Sequence, residues 1–317
     1  MRSSYEVRVI DILEREKLME HVYELPLRER KADIDGLCVK IMTNVDAFKE
    51  MFEDNFYSMS EGIRPHVRLY VVNDGTAFSV LYEPISHTVF IMNCDYYGWI
   101  KSITLAAAAD LFEEYYSVHR RYAVHGSLVD KGGRGIALIG TPGSGKTTLT
   151  YGLLIEKKHS FVADDWFFTR LMGDDVMAYS SEKNSYVRAD LANLWPSLAS
   201  LLEKIRYDLK GRAIVDVRML FGSARIRESS VLKAIILLKR DKSDPSVISR
   251  ISSDAALKFM LANDFCNPHQ LIRDERKTTL RAKFMKALLD VVPTYLLNTT
   301  ETPSESLGRV KEIAGSI

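Results

Sequence analysis

Gly140-Thr141-Pro142-Gly143-Ser144-Gly145-Lys146-Thr147, followed by Thr148, decides how the rest of the chain is read. It is a complete G-x-x-x-x-G-K-[ST] match. Glycines let such a loop wrap so that successive N–H groups point at phosphate oxygens, and the helix that follows adds the positive end of its dipole. Lys146 can reach the outer phosphates, and Thr147 can offer its hydroxyl to Mg²⁺. The flanks have the required character, since apolar residues 136–139 enter as a strand and Leu149, Leu153 and Leu154 leave on a helix. The expected nucleotide contacts are therefore Gly140, Gly143, Ser144, Gly145, Lys146, Thr147 and Thr148, with ATP and Mg²⁺ as the ligands.

Outward from the loop, Val162-Ala163-Asp164-Asp165 places two carboxylates at a strand end, 18 and 19 residues past Lys146. One helix and one turn separate them, which lets a parallel strand return beside the loop. Carboxylates there can hold a metal or deprotonate a nucleophile, although paired acids also form ordinary solvated turns. Upstream, residues 123–130 and 135–139 read as strands around Lys131-Gly132-Gly133-Arg134, and hairpin pairing puts His125 opposite Gly140. Asp164, Asp165, His125 and Lys146 are the candidate catalytic residues. Further strands are expected at 160–163, 213–220, 231–238 and 295–298. Helices are expected at 191–205 (bent or restarted at Pro196), 253–263 and 279–289, with a last one opening on the capping box Thr302-Pro303-Ser304-Glu305.

The first ~120 residues read as a smaller α+β unit over 1–119, with the phosphate-loop unit over 120–317. Residues 11–24 have loosely helical spacing. Residues 67–72 and 77–82 flank Asp74-Gly75, which predicts a hairpin, and a third strand is expected at 88–93. Leu105, Ala108, Ala109, Phe112, Tyr115 and Tyr116 recur at helical steps over 103–118.

The 317 residues are 46% hydrophobic and 27% charged, an ordinary globular composition. Lys and Arg number 43 against 42 Asp and Glu, so no global charge draws the chain to nucleic acid or a membrane. Apolar runs fall short of a membrane span and no signal peptide is visible. Three scattered cysteines, Cys38, Cys94 and Cys266, suit a reducing compartment. The expectation is a cytoplasmic protein with no nucleic-acid or membrane partner.

Taken in order, His125-Gly126, residues 140–147, Val162-Ala163-Asp164-Asp165 and the stretch from Asp208 to Gly222 resemble the catalytic domain of the HPr kinase/phosphorylase family. The resemblance covers about residues 121–240. It implies a fold similar to phosphoenolpyruvate carboxykinase and transfer of the γ-phosphoryl group of ATP to a hydroxyl. The acceptor would be a serine of a protein or peptide, or a small hydroxy metabolite. By the same resemblance Asp164 would be the general base, Asp165 would support it and the metal, and His125 would tune the carboxylate or phosphate. Thr147, Asp165 and Asp208 would attend Mg²⁺, and the protein would be a homo-oligomer. Lys210 stands where the family has an arginine, and Arg212-Ala213 interrupts its Gly-x-Gly. One other class remains open, a nucleotide-gated regulatory or binding module with little or no phosphotransfer; the near-neutral charge and the lack of helicase motifs beyond the phosphate loop argue against a nucleic-acid-dependent ATPase.

Overall fold

The computed structural model describes residues 5–114, 120–188, 190–199 and 212–317. Its first part comprises β1 (Val7–Val9), α1 (Ile12–Tyr23), β2 (Arg28–Ile34), β3 (Leu37–Thr43), α2 (Asp46–Asn55), β4 (Tyr57–Ser58), β5 (Val67–Val72), β6 (Ser79–Glu83), β7 (Thr88–Met92) and α3 (Tyr97–Glu114). The strands form one mixed sheet in the order β1-β6-β7-β5-β3-β2-β4.

The hairpin expected across Asp74-Gly75 does not form. β7 lies between its two arms, parallel to β5 and antiparallel to β6. The stretch from Val72 to Ser79 is too long for a two-residue turn. Its polar groups are met instead by Asn93 at the end of β7. The Asn93 Oδ1 accepts from the backbone N–H of Asp74 (3.0 Å) and Gly75 (2.9 Å), and Nδ2 donates to Asp74 Oδ1 at 2.8 Å. The Asp-Gly hairpin of this sheet is at Asp35-Gly36, where both φ values are positive (50° and 88°) and Ile34 faces Leu37. Gly accepts that backbone freely and Asp tolerates it, as a primed turn requires.

Helix α3 begins earlier than its periodicity suggested and is buried on nearly every side. Ile100, Ile103, Leu105, the run 106–109, Leu111 and Phe112 pack in one core with the first sheet. The same core takes in Trp166 and Phe168 of the second sheet, with the rings of Phe112 and Phe168 4.8 Å apart. A helix buried on nearly every side belongs between layers, and α3 lies between the two sheets.

The second part comprises β8 (Tyr122–Lys131), β9 (Arg134–Gly140), α4 (Lys146–Leu154), β10 (Ser160–Ala163), β11 (Trp166–Met172), β12 (Asp175–Ser180), β13 (Asn184–Arg188), α5 (Leu191–Leu194), β14 (Arg212–Asp216), α6 (Val217–Phe221), β15 (Ser229–Lys239), β16 (Ile248–Ile251), α7 (Ser253–Ala262), α8 (Glu275–Val291), β17 (Thr294–Asn298) and α9 (Pro303–Ser316). Its main sheet runs β10-β8-β11-β12-β15-β17-β16, with β9 paired to both β8 and β15. β13 and β14 form a separate ribbon.

Two expectations need correction. The strand over 213–220 stops at Asp216, whose side chain accepts from the Arg218 N–H at 2.9 Å and caps α6. The helix over 191–205 is interrupted at Pro196 as expected: the residue before proline, Trp195, leaves helical geometry, a 3-10 turn over Pro196–Leu198 follows, and residues 200–205 lie outside the described residues. The helix over 279–289 is longer at both ends, since Asp274 caps it through the Lys277 N–H at 2.7 Å. The capping box at Thr302 and Glu305 forms as expected. Among the described residues no helix is long and apolar enough to cross a membrane.

Candidate active site

β9 ends at Gly140 and α4 starts at Lys146, so residues 141–145 form the loop between them. Gly140 has no room for a side chain: a Cβ there would lie 2.7 Å from the Leu238 carbonyl oxygen and 2.5 Å from Ser144 Oγ. Gly143 and Gly145 take φ values of 84° and 100°, which side chains resist. Thr299, just beyond β17, donates its hydroxyl to the Ser144 carbonyl at 3.0 Å and pins the loop from below. Lys146 is buried, and its Nζ donates to the Gly140 carbonyl at 2.6 Å. Burial pushes its pKa down. Thr147 and Thr148 continue into the helix, where the Thr148 carbonyl accepts from Trp195 Nε1 at 2.9 Å.

The hairpin register is the predicted one. Lys131 faces Arg134 and Gly126 faces Ile139, which leaves His125 opposite Gly140. The strand carrying the carboxylates does run in the direction of β9, but it is not beside it. β8 already occupies that edge of β9, so β10 adds antiparallel to the far edge of β8.

Asp164 and Asp165 sit where β10 turns into β11. Asp164 is 5% exposed; its Oδ1 accepts from Ser127 Oγ at 3.1 Å and its Oδ2 from the Ser185 hydroxyl. Burial pushes its pKa up, and the Ser185 hydrogen bond offsets this in part. The Asp165 side chain is 36% exposed and faces the cavity. His125 Nε2 approaches its Oδ1 at 3.1 Å, and Lys101 Nζ donates to its Oδ2 at 2.7 Å. Desolvation opposes its ionisation, but Lys101 and His125 hold it well below the usual carboxylate range. The two neighbouring acids are thus driven apart in acidity.

Three supports were not read from the sequence. Lys101 comes from α3 and lies between Asp165 and Glu182 (3.2 Å), and burial pushes the Glu182 carboxyl up to about 7 against the pull of Lys101. His125 Nδ1 lies 2.8 Å from the Cys266 carbonyl oxygen. That carbonyl is presented by Asp264, Phe265 and Cys266, which all have φ between 51° and 55°. Such a left-handed run is costly and persists only where the surroundings dictate it. The signal for Lys101 is the lone cation of a largely apolar helix; the Cys266 carbonyl, a backbone group, leaves none.

A cavity of about 720 Å³ gathers these groups, with Lys101, His125, Lys146, Thr147, Asp164 and Asp165 on its wall. Gly143, Gly145 and Thr148 border it too. Asp208 and Lys210 lie outside the described residues. Among the described residues no cluster of three or more His, Cys, Asp or Glu could hold a metal. Mg²⁺ needs no such cage, since it takes one or two protein oxygens and fills its shell with phosphate and water. The Thr147 hydroxyl and the Asp165 carboxylate, on one cavity wall, fit that demand.

Residues 117–267 match the family model of the HPr Serine kinase C-terminal domain. An HPr kinase/phosphorylase from Chlorobaculum tepidum is 28% identical over 176 residues, which is 56% of this chain and 44% of the relative. One from Prosthecochloris aestuarii is 27% identical over 161 residues, 51% and 41% of the two chains. One from Chlorobium phaeovibrioides is 31% identical over 134 residues, 42% and 34%. Over this stretch the chain is similar to the HPr kinase/phosphorylase family, as its ordered segments indicated. The match spans less than half the length of these relatives.

Proposed function

We propose that the protein is a Mg²⁺-dependent phosphotransferase that moves the γ-phosphoryl group of ATP to a hydroxyl. The acceptor is a serine of a protein or peptide, or a small hydroxy metabolite. Residues 120–317 would form the unit similar to phosphoenolpyruvate carboxykinase. The observation that carries this reading is the meeting, in one cavity, of the phosphate loop with Asp164, Asp165 and His125. The similarity of residues 117–267 to HPr kinases supports it.

In this reading the loop N–H groups and Lys146 hold the phosphates, so Lys146 leaves the Gly140 carbonyl for the nucleotide. Asp164, the carboxylate whose proton affinity burial raises, takes the acceptor's proton as the acceptor oxygen bonds to the γ-phosphorus and ADP leaves. Asp165 stays ionised, oriented by His125 and Lys101. Thr147 and Asp165 would hold Mg²⁺, which would neutralise charge on the phosphates. Catalysis is then positioning and electrostatics rather than covalent chemistry by the protein.

The test follows γ-labelled ATP with Mg²⁺ and fractionated cell extract, comparing wild type with Asp164→Asn. Label in a discrete protein or metabolite with wild type alone is expected. ATP binding with every fraction unlabelled would sink the reading and favour a nucleotide-gated regulatory module.

A further inference from the structure

Helix α3 precedes the stretch that matches the family model, yet it reaches the catalytic cavity. Its Lys101 side chain is 3% exposed in a segment otherwise made of residues such as Ile100, Ile103 and Leu105. An apolar side chain would serve packing there at least as well, because a buried ion pair is poor value for stability alone. What Lys101 does is specific in geometry. Its Nζ donates to Asp165 Oδ2 at 2.7 Å and to Glu182 Oε1 at 3.3 Å, and lies 4.7 Å from the centre of the Tyr186 ring. Behind it, Asn55 at the end of α2 donates to Glu182 Oε2 at 3.2 Å. In front, Asp165 meets His125 through its other oxygen.

We propose that Lys101 is a positioning residue of the phosphotransfer site: it clamps the Asp165 carboxylate against His125 at the mouth of the phosphate loop, so the site is completed by a helix of the first part of the chain. What Asp165 then does rests on the phosphotransfer reading; the clamp itself does not. Glu182, itself held by Asn55, holds the ammonium from behind and keeps it from swinging into the cavity. A carboxylate released from this clamp can turn toward solvent, and misplacement by about 1 Å is enough to cost roughly a hundredfold in rate.

Two readouts test the clamp in the full chain, with Lys101→Met removing the charge at similar length and Lys101→Arg keeping it. The first is kinetic. Lys101→Met is expected to lower kcat by about a hundredfold while the KM for ATP moves by less than about threefold, and Lys101→Arg to recover part of the loss. The second is a crystal structure of each protein, which needs no turnover. The Asp165 carboxylate is expected to leave His125 in Lys101→Met and to stay beside it in wild type. A folded Lys101→Met with kcat within about threefold of wild type, or with Asp165 unmoved, overturns the proposal. If the wild type transfers no phosphoryl group, the phosphotransfer reading fails and the crystal comparison alone decides the clamp. Should Lys101→Met not fold, Lys101→Arg stands in for it: its bulkier fork is expected to displace Asp165 and lower kcat about tenfold, and no change in either readout overturns the clamp.

Discussion

Lys146 shows how a residue proposed to bind phosphate can be at odds with its own resting place. Its ammonium is buried and its pKa is pushed down, with the carbonyls of Gly140 and Thr141 as its partners. Lys146→Met removes the buried charge without opening a large cavity, so thermal stability should hold or rise. Loss of a charged contact to phosphate should lower ATP affinity by about 10- to 100-fold, read by nucleotide titration. Gly140→Ala acts in the opposite way. Its methyl would meet the Leu238 carbonyl, a backbone atom that cannot swing aside. A loss of about 1–3 kcal/mol in urea unfolding is expected. Both positions were legible in the sequence, because the loop's chemistry is local and each residue's task depends on its near neighbours.

At the scale of elements, local rules worked where partners are close in sequence. The capping box at Thr302 and Glu305 is such a case, and Thr302→Ala should cost about 1 kcal/mol, measured by chemical unfolding. The Asp-Gly rule worked less well. At Asp74-Gly75 β7 intervenes, whereas at Asp35-Gly36 the hairpin forms. The dipeptide permits a turn, but which strands pair depends on the sheet. Asp35 also ties the β2–β3 turn to β8, through Arg121 Nη1 at 3.1 Å. Burial pushes its carboxyl up to about 7, although Arg121 pulls the other way. Unfolded, it titrates near ~4. Between those values the native state holds the extra proton, so this group's contribution makes stability fall as pH rises, levelling off above about 7. Asp35→Asn, which can keep the positive φ, should remove that slope in urea unfolding followed across this range.

For the whole molecule, the decisive feature is α3 lodged between two sheets. Its buried carboxylates, Asp110 and Glu113, are met by α8. Lys277 Nζ pairs with Asp110 at 2.8 Å, and Arg281 Nη2 with Glu113 at 3.0 Å, all buried. Lys277 and Arg281 thus face α3 rather than solvent. Lys277→Met would leave Asp110 and Glu113 short of a cation, at a cost of about 3–5 kcal/mol, measured by urea unfolding near neutral pH. The unfolding transition should shift as one step if both sheets depend on this helix, and split into two if they do not.

By itself, the sequence determined the phosphate loop, the strand and helix on either side of it, the hairpin register that sets His125 opposite Gly140, and the paired carboxylates. Each follows from residue types and spacings that act within one or two elements. Tertiary structure alone decided that β8 separates β10 from β9, that β7 divides the expected hairpin, and that Lys101 and the Cys266 carbonyl flank the Asp165–His125 pair. Those contacts join residues up to 141 positions apart. Their partners are chosen by which layers can close over a shared core, and spacing along the chain carries no record of that choice.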